Sequence, residues 1–89
     1  MAFTVAKIHE DVHGSSRFQV LSCTADGAEA DINTGFSSVY GVAYTPKSMT
    51  TAAAKIEINQ LTSGTASAGY ISVTGVASGD EFYLNVYGR

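Results

Sequence analysis

His9, Glu10 and His13 spell the pattern H-E-x-x-H, in which two imidazoles hold one zinc ion and the glutamate activates its water. That chemistry needs a helix, because helical i, i+4 spacing puts both rings on one face. The flanks deny it. FTVAKI before the motif alternates with β-branched residues, and Gly14 stands one position after His13, where it would end a helix as the ligands were presented. In extended chain the two histidines lie ~13 Å apart, at ~3.3 Å per residue. The chain holds no further histidine, so the segment is read as a solvated passage from strand to turn and no metal is expected.

Other chemistry is equally thin. Serine and threonine fill nineteen positions, yet no G-x-S-x-G elbow follows a strand. Cys23 is the lone cysteine, so an intrachain disulfide is impossible and a small buried core residue is expected. Single glycines at 64, 69, 75 and 79 open no phosphate-cradling loop onto a helix. Asp26, Glu29 and Asp31 cluster without the spacing of a helix-flanked calcium loop and read as a solvated acidic loop. The expectation is a protein that is no enzyme, with no catalytic residue and no cofactor.

Elements of what kind would carry these residues? The 89 residues contain no repeat and no polar linker, which suggests one domain. A domain this small hides only ~60–65% of the surface its unfolded chain exposes. Charged residues are 15% of the chain, below the ~25% usual for soluble domains. A net charge of −3 and five scattered Lys and Arg argue against nucleic acid. No apolar run approaches the ~18 residues of a membrane span, and MAFTVAKIHED does not read as a signal peptide.

Period-two alternation dominates, so the fold class expected is all-β: a compact antiparallel β-sandwich or small barrel of six to seven short strands with at most one helical turn. Strands are expected at 3–9, 16–25, 38–45, 52–60, 69–76 and 80–88, with a short extended piece at 28–32. Asp31 or Asn33 is expected to cap a helical turn over 34–38. Pro46 is expected to stop the third main strand, and 62–69 to be a loop. GYISVTGV and DEFYLNVYG are expected to pair as a tight hairpin across 77–79.

Tyrosine placement is the most informative pattern. On the last strand Phe82, Leu84 and Val86 alternate with Glu81, Tyr83, Asn85 and Tyr87; Tyr40 and Tyr44 are expected to share a face with Val42. Strands apolar on both faces need cover on both, and tyrosine suits contact with another chain. Tyr40, Tyr44, Tyr83, Tyr87 and Arg89 are therefore the candidate interface residues, with MAFTV able to pair as an added strand.

FTVAKIHEDVHGSSRFQV, DINTGFSSVYGVAYTPKS and GVASGDEFYLNVYGR together resemble small β proteins encoded among the virion structural genes of tailed bacteriophages, capsid decoration (cement) proteins among them. The resemblance implies a homo-oligomer, a trimer in preference, made in the host cytoplasm and bound on the capsid surface to the major capsid protein, which it stabilises. It implies no catalytic residue, no nucleic acid and no membrane. The alternatives are another virion part, such as a tail or head-completion component, and a carbohydrate-binding β-sandwich module using tyrosine platforms.

Overall fold

The computed structural model describes residues 3–14, 16–48 and 54–89. It is all-β, with seven strands: β1 (Thr4–His13), β2 (Ser16–Thr24), β3 (Glu29–Asn33), β4 (Val39–Ser48), β5 (Lys55–Gln60), β6 (Ala66–Thr74) and β7 (Glu81–Gly88). No helix occurs among the described residues, and so none long and apolar enough to cross a membrane. Two antiparallel sheets form a sandwich, one ordered β1-β2-β7-β4 and the other β3-β6-β5.

Alternation builds the core. Leu21 and Cys23 pair across β2 and β7 with Leu84 and Phe82, and Gln19 pairs with Val86, so all six point inward from the four-stranded sheet. Ala30 and Ile32 sit opposite Val73 and Ile71 on β6, with Ile56 and Ile58 beyond, and supply the facing layer. The inward residues of β2, β3, β6 and β7 are nearly all buried. Full burial of each larger side chain stabilises by about 1.5–3 kcal/mol. Phe82 is the hub: its ring meets those of Phe3 and Tyr44 at 6.2 and 5.5 Å.

Several expectations change. β6 and β7 do not form a hairpin; they lie in different sheets, and the chain crosses between them through residues 75–80. The crossing is held by Val76, buried at its centre, and by Asp80, whose carboxylate accepts the amide of Ala77 at 2.9 Å. It runs beside the β2–β3 crossing, to which it is tied by Ala25 N–H to Asp80 O, Gly79 N–H to Ala25 O and Val76 N–H to Ala28 O. These bonds hold Gly79, at φ 93°, within a double crossover.

Residues 34–38 make no helical turn. Asn33 accepts from the Gly35 amide and Thr34 Oγ1 from the Phe36 amide, so side chains close local turns instead of capping a helix. β4 runs past Pro46 to Ser48, tolerated because β4 is a sheet edge with an irregular register there. β6 begins at Ala66, inside the segment expected as loop, and bends at Gly69, whose backbone lies against Phe36 O with no room for a Cβ. Residues 52 and 53, the start of the strand expected at 52–60, lie outside the described residues.

Candidate interaction surface

HEDVH is strand from end to end, completing β1 before the turn at Gly14. Glu10 is engaged by cations: Arg17 lies 2.7 Å and Lys7 3.1 Å from its carboxylate oxygens. These hydrogen bonds, Arg17's first, hold its pKa below the ordinary carboxylate value. His9 is exposed, its ring 6.3 Å from that of Phe18. Among the described residues, no three His, Cys, Asp or Glu side chains are grouped as metal ligands. Cys23 is buried, which pushes its thiol up to about 12.

The outward side of the four-stranded sheet is a different surface. Cross-strand register sets its side chains in rows: Asp11, Phe18, Tyr87 and Gly41; then His9, Val20, Asn85 and Ala43; then Ala6, Ser22, Tyr83 and Thr45. Phe18, Val20 and Tyr83 are half-buried, and Tyr87 is 51% exposed. Tyr87 lies over Gly41, where a Cβ would run into its hydroxyl end. The glycine lets a large ring spread flat across its neighbour. Lys47 stands over the Tyr83 ring at 5.9 Å. Among the described residues no other strand covers this face.

The sequence-nominated residues separate on the structure. Tyr83 and Tyr87 share the outward face with Phe18 and Val20. Tyr44 shares the inward face with Val42, as expected, but Tyr40 does not join them, because the register of β4 shifts between Val39 and Gly41. Tyr40, the extra residue there, is 55% exposed, whereas Tyr44 points inward beside Phe82. Burial, helped by the charge of Asp80, raises the Tyr44 phenol pKa. Arg89 is exposed at the side chain while its backbone is fixed to Ser37 and Ser38.

Compared with protein-family models, with curated proteins and with solved structures, the chain matches none. The geometry must speak for itself. The alternation of RFQVLSCTA places Phe18 and Val20 on one face of their strand, but nothing local unites them with Tyr83 and Tyr87. The missing fact was that β2 and β7, far apart in sequence, are neighbours.

Sequence reasoning ended the first strand at residue 9 and missed the exposure of β1. Each described side chain from Thr4 to Val12 is exposed, including Ile8 at 58% and Val12 at 59%. The strand overhangs the three-stranded sheet, and beneath it lies an open cleft of about 420 Å³ lined by Phe3, Val5, Lys7, Leu21, Ile32 and Asp31 among others. Its floor polar group is already satisfied, since Gln19 donates to Thr34 O at 2.9 Å. The feature left open is the backbone edge of β1.

Proposed function

We propose that this chain is a virion structural protein of the capsid decoration type, which binds repeated shell subunits through the outward face of its four-stranded sheet. The observation that carries the reading is the row of Phe18 and Tyr87, with Val20 and Tyr83 on the next two rows, left without cover by the described residues on a domain whose other sheet turns mainly polar residues outward. Aromatic rings that keep a wet hydroxyl while burying a large area are the usual anchors of protein contacts. Tyr40 and Arg89 stand exposed beyond this face and extend the polar rim. On a symmetric shell, many weak copies of such a contact add up through avidity. The partner is the major capsid protein, the site of action the capsid surface, and the role stabilisation rather than catalysis.

Heads lacking the protein, incubated with purified chain and examined by sedimentation and electron microscopy, test this reading. Tyr87→Ala and Tyr83→Ala should each weaken binding by about 1–3 kcal/mol per site. Tyr70→Ala, on the outward face of the opposite sheet, should leave binding unchanged. Equal binding by all four proteins ends the assignment of the face. Occupancy of a dozen copies or fewer per particle, in place of hundreds, redirects the proposal to a head-completion or tail component.

A further inference from the structure

We infer that a second copy of this chain pairs antiparallel along β1, about a two-fold axis between Ile8 and His9, joining two four-stranded sheets into one continuous sheet. The inference rests on β1 alone and does not depend on the capsid reading.

β1 is an outer strand of its sheet, and among the described residues no strand pairs with its other edge. The hydrogen-bonding pattern of that edge follows from the turn. His13 pairs with Ser16 across a two-residue link, the pair that closes such a hairpin with both hydrogen bonds. Alternation back along β2 then leaves the N–H and C=O groups of Val12, Glu10, Lys7 and Val5 directed away from β2. Ile8 is the extra residue, since the register shifts between Lys7 and His9.

The bulge has an unusual consequence. In a regular strand residues 5 and 12 differ in parity and point to opposite faces; the extra residue resets the alternation. Val5 and Lys7 lie opposite Cys23 and Leu21, and Glu10 and Val12 opposite Gln19 and Arg17, so all four share the inward side of the sheet. They are also the four residues whose backbone groups point off the edge; the Val12 N–H donates meanwhile to the Asp11 carboxylate at 2.9 Å, a local bond that strand pairing would replace.

Placing a second β1 antiparallel so that paired positions sum to seventeen sets Val5 against Val12 of the copy and Lys7 against Glu10 of the copy, each twice by symmetry. Every opposed pair has its side chains on one face and its backbone groups in register. Both strands carry the same two residues, Ile8 and His9, between the central pairs, so the two bulges match. Like residues meet in the apolar pairs and opposite charges in the polar ones. Ile8 and Val12, exposed and apolar, gain cover. Charges and bulges on an edge strand ordinarily keep other strands away; placed symmetrically, they exclude foreign strands and accept this one. The cleft beside Val5 and Lys7 continues into the joint.

The test is self-association of the full chain by analytical ultracentrifugation from about 1 μM to about 1 mM, the range suited to a small contact. Wild type should move from monomer to dimer. Lys7→Glu alone and Glu10→Lys alone set like charges opposite each other at both central pairs and should each weaken dimerisation at least about tenfold. An equimolar mixture of the two variants restores opposite charges at both pairs and should dimerise again.

Both substitutions lie on exposed strand surface, and circular dichroism verifies that the variants fold. In a Cys23→Ala background, which removes the thiol opposite Val5 on β2, a Val5→Cys/Val12→Cys variant should oxidise to an interchain disulfide dimer, because antiparallel opposed residues lie within disulfide reach while positions 5 and 12 of one chain do not. A wild type monomeric throughout the range, an assembly indifferent to Lys7→Glu, or a mixture that does not recover overturns the proposal. Loss of dimer with intact capsid binding, or the reverse, distinguishes this inference from the proposed function.

Discussion

The two sheets obey one alternation rule and use it differently. Inward, both are apolar. Outward, the three-stranded sheet carries Glu29, Asp31 and Asn33 on β3, Tyr70, Ser72 and Thr74 on β6, and Lys55 and Glu57 on β5. Asp31 accepts the Thr62 amide, and Lys55 stands 3.8 Å from Glu57. Apart from Ser72, which its neighbours bury, such a face is finished in water. The four-stranded sheet instead turns Phe18, Val20, Tyr83 and Tyr87 outward, and adds a strand, β1, that the opposite sheet does not reach. Stability of one domain requires the two inward faces alone; the outward apolar face and the overhanging edge point to neighbours.

The contrast between the faces requires that both sheets share one core. Phe82, on β7, touches Phe3 and Tyr44 and pairs with Cys23, so it joins the residue before β1 to β2 and β4. Phe82→Ala should cost about 3–5 kcal/mol, measured by denaturant unfolding. The loss should appear equally in amide exchange at Ile71 and Val73 across the sandwich and at Leu84 and Val86 beside it. Reaction of Cys23 with a thiol reagent, slow while burial keeps it protonated, should accelerate in step. Exchange that quickens in one sheet and not the other would show two independent layers.

Strand content was legible because a period of two is local: Phe82 to Val86, Ile71 to Val73 and Leu21 to Cys23 declare their inward faces without knowledge of their neighbours. The all-β sandwich followed from that. Pairing was not legible, since β6 and β7 are each flanked by turn residues and read as a hairpin; only the buried Val76 and the carboxylate of Asp80 turn that connection into a crossover. The bulges at Ile8 and Tyr40 were equally hidden, because an added residue has no sequence mark and inverts every orientation after it. Tyr44 accordingly faces the core.

Asn59 sharpens the comparison by fastening the sheets at one edge. Its Oδ1 accepts from the amides of Val39 and Gly69, and its Nδ2 donates to Val39 O at 2.7 Å. It does so from a left-handed backbone, φ 58°, at the break in the β5–β6 register. Asn59→Gly should cost about 2 kcal/mol through the lost hydrogen bonds. Asn59→Ala should cost about 1 kcal/mol more, because it adds the left-handed penalty. Equal losses, again by denaturant unfolding, would mean that the backbone at 59 relaxes once its bonds are gone.

Glu10 offers the smallest effect and separates the overhang from the rest. Its pKa is held below the ordinary 4.5 by hydrogen bonds from Arg17 first and Lys7 second. The unfolded chain therefore takes up this proton at higher pH than the folded one. The contribution of Glu10 to stability is complete above about pH 4.5 and fades as pH falls through the lower folded value. Glu10→Gln should flatten the acid limb of stability in that window and leave neutral pH almost unaltered, since the group is fully exposed and solvent screens its pairs. Side-chain carboxyl NMR gives the folded value directly. A midpoint at or above 4.5 would mean that Arg17 is bound elsewhere, to Gly35 O and the face of Phe36, and that the β1 edge carries its charge unpaired.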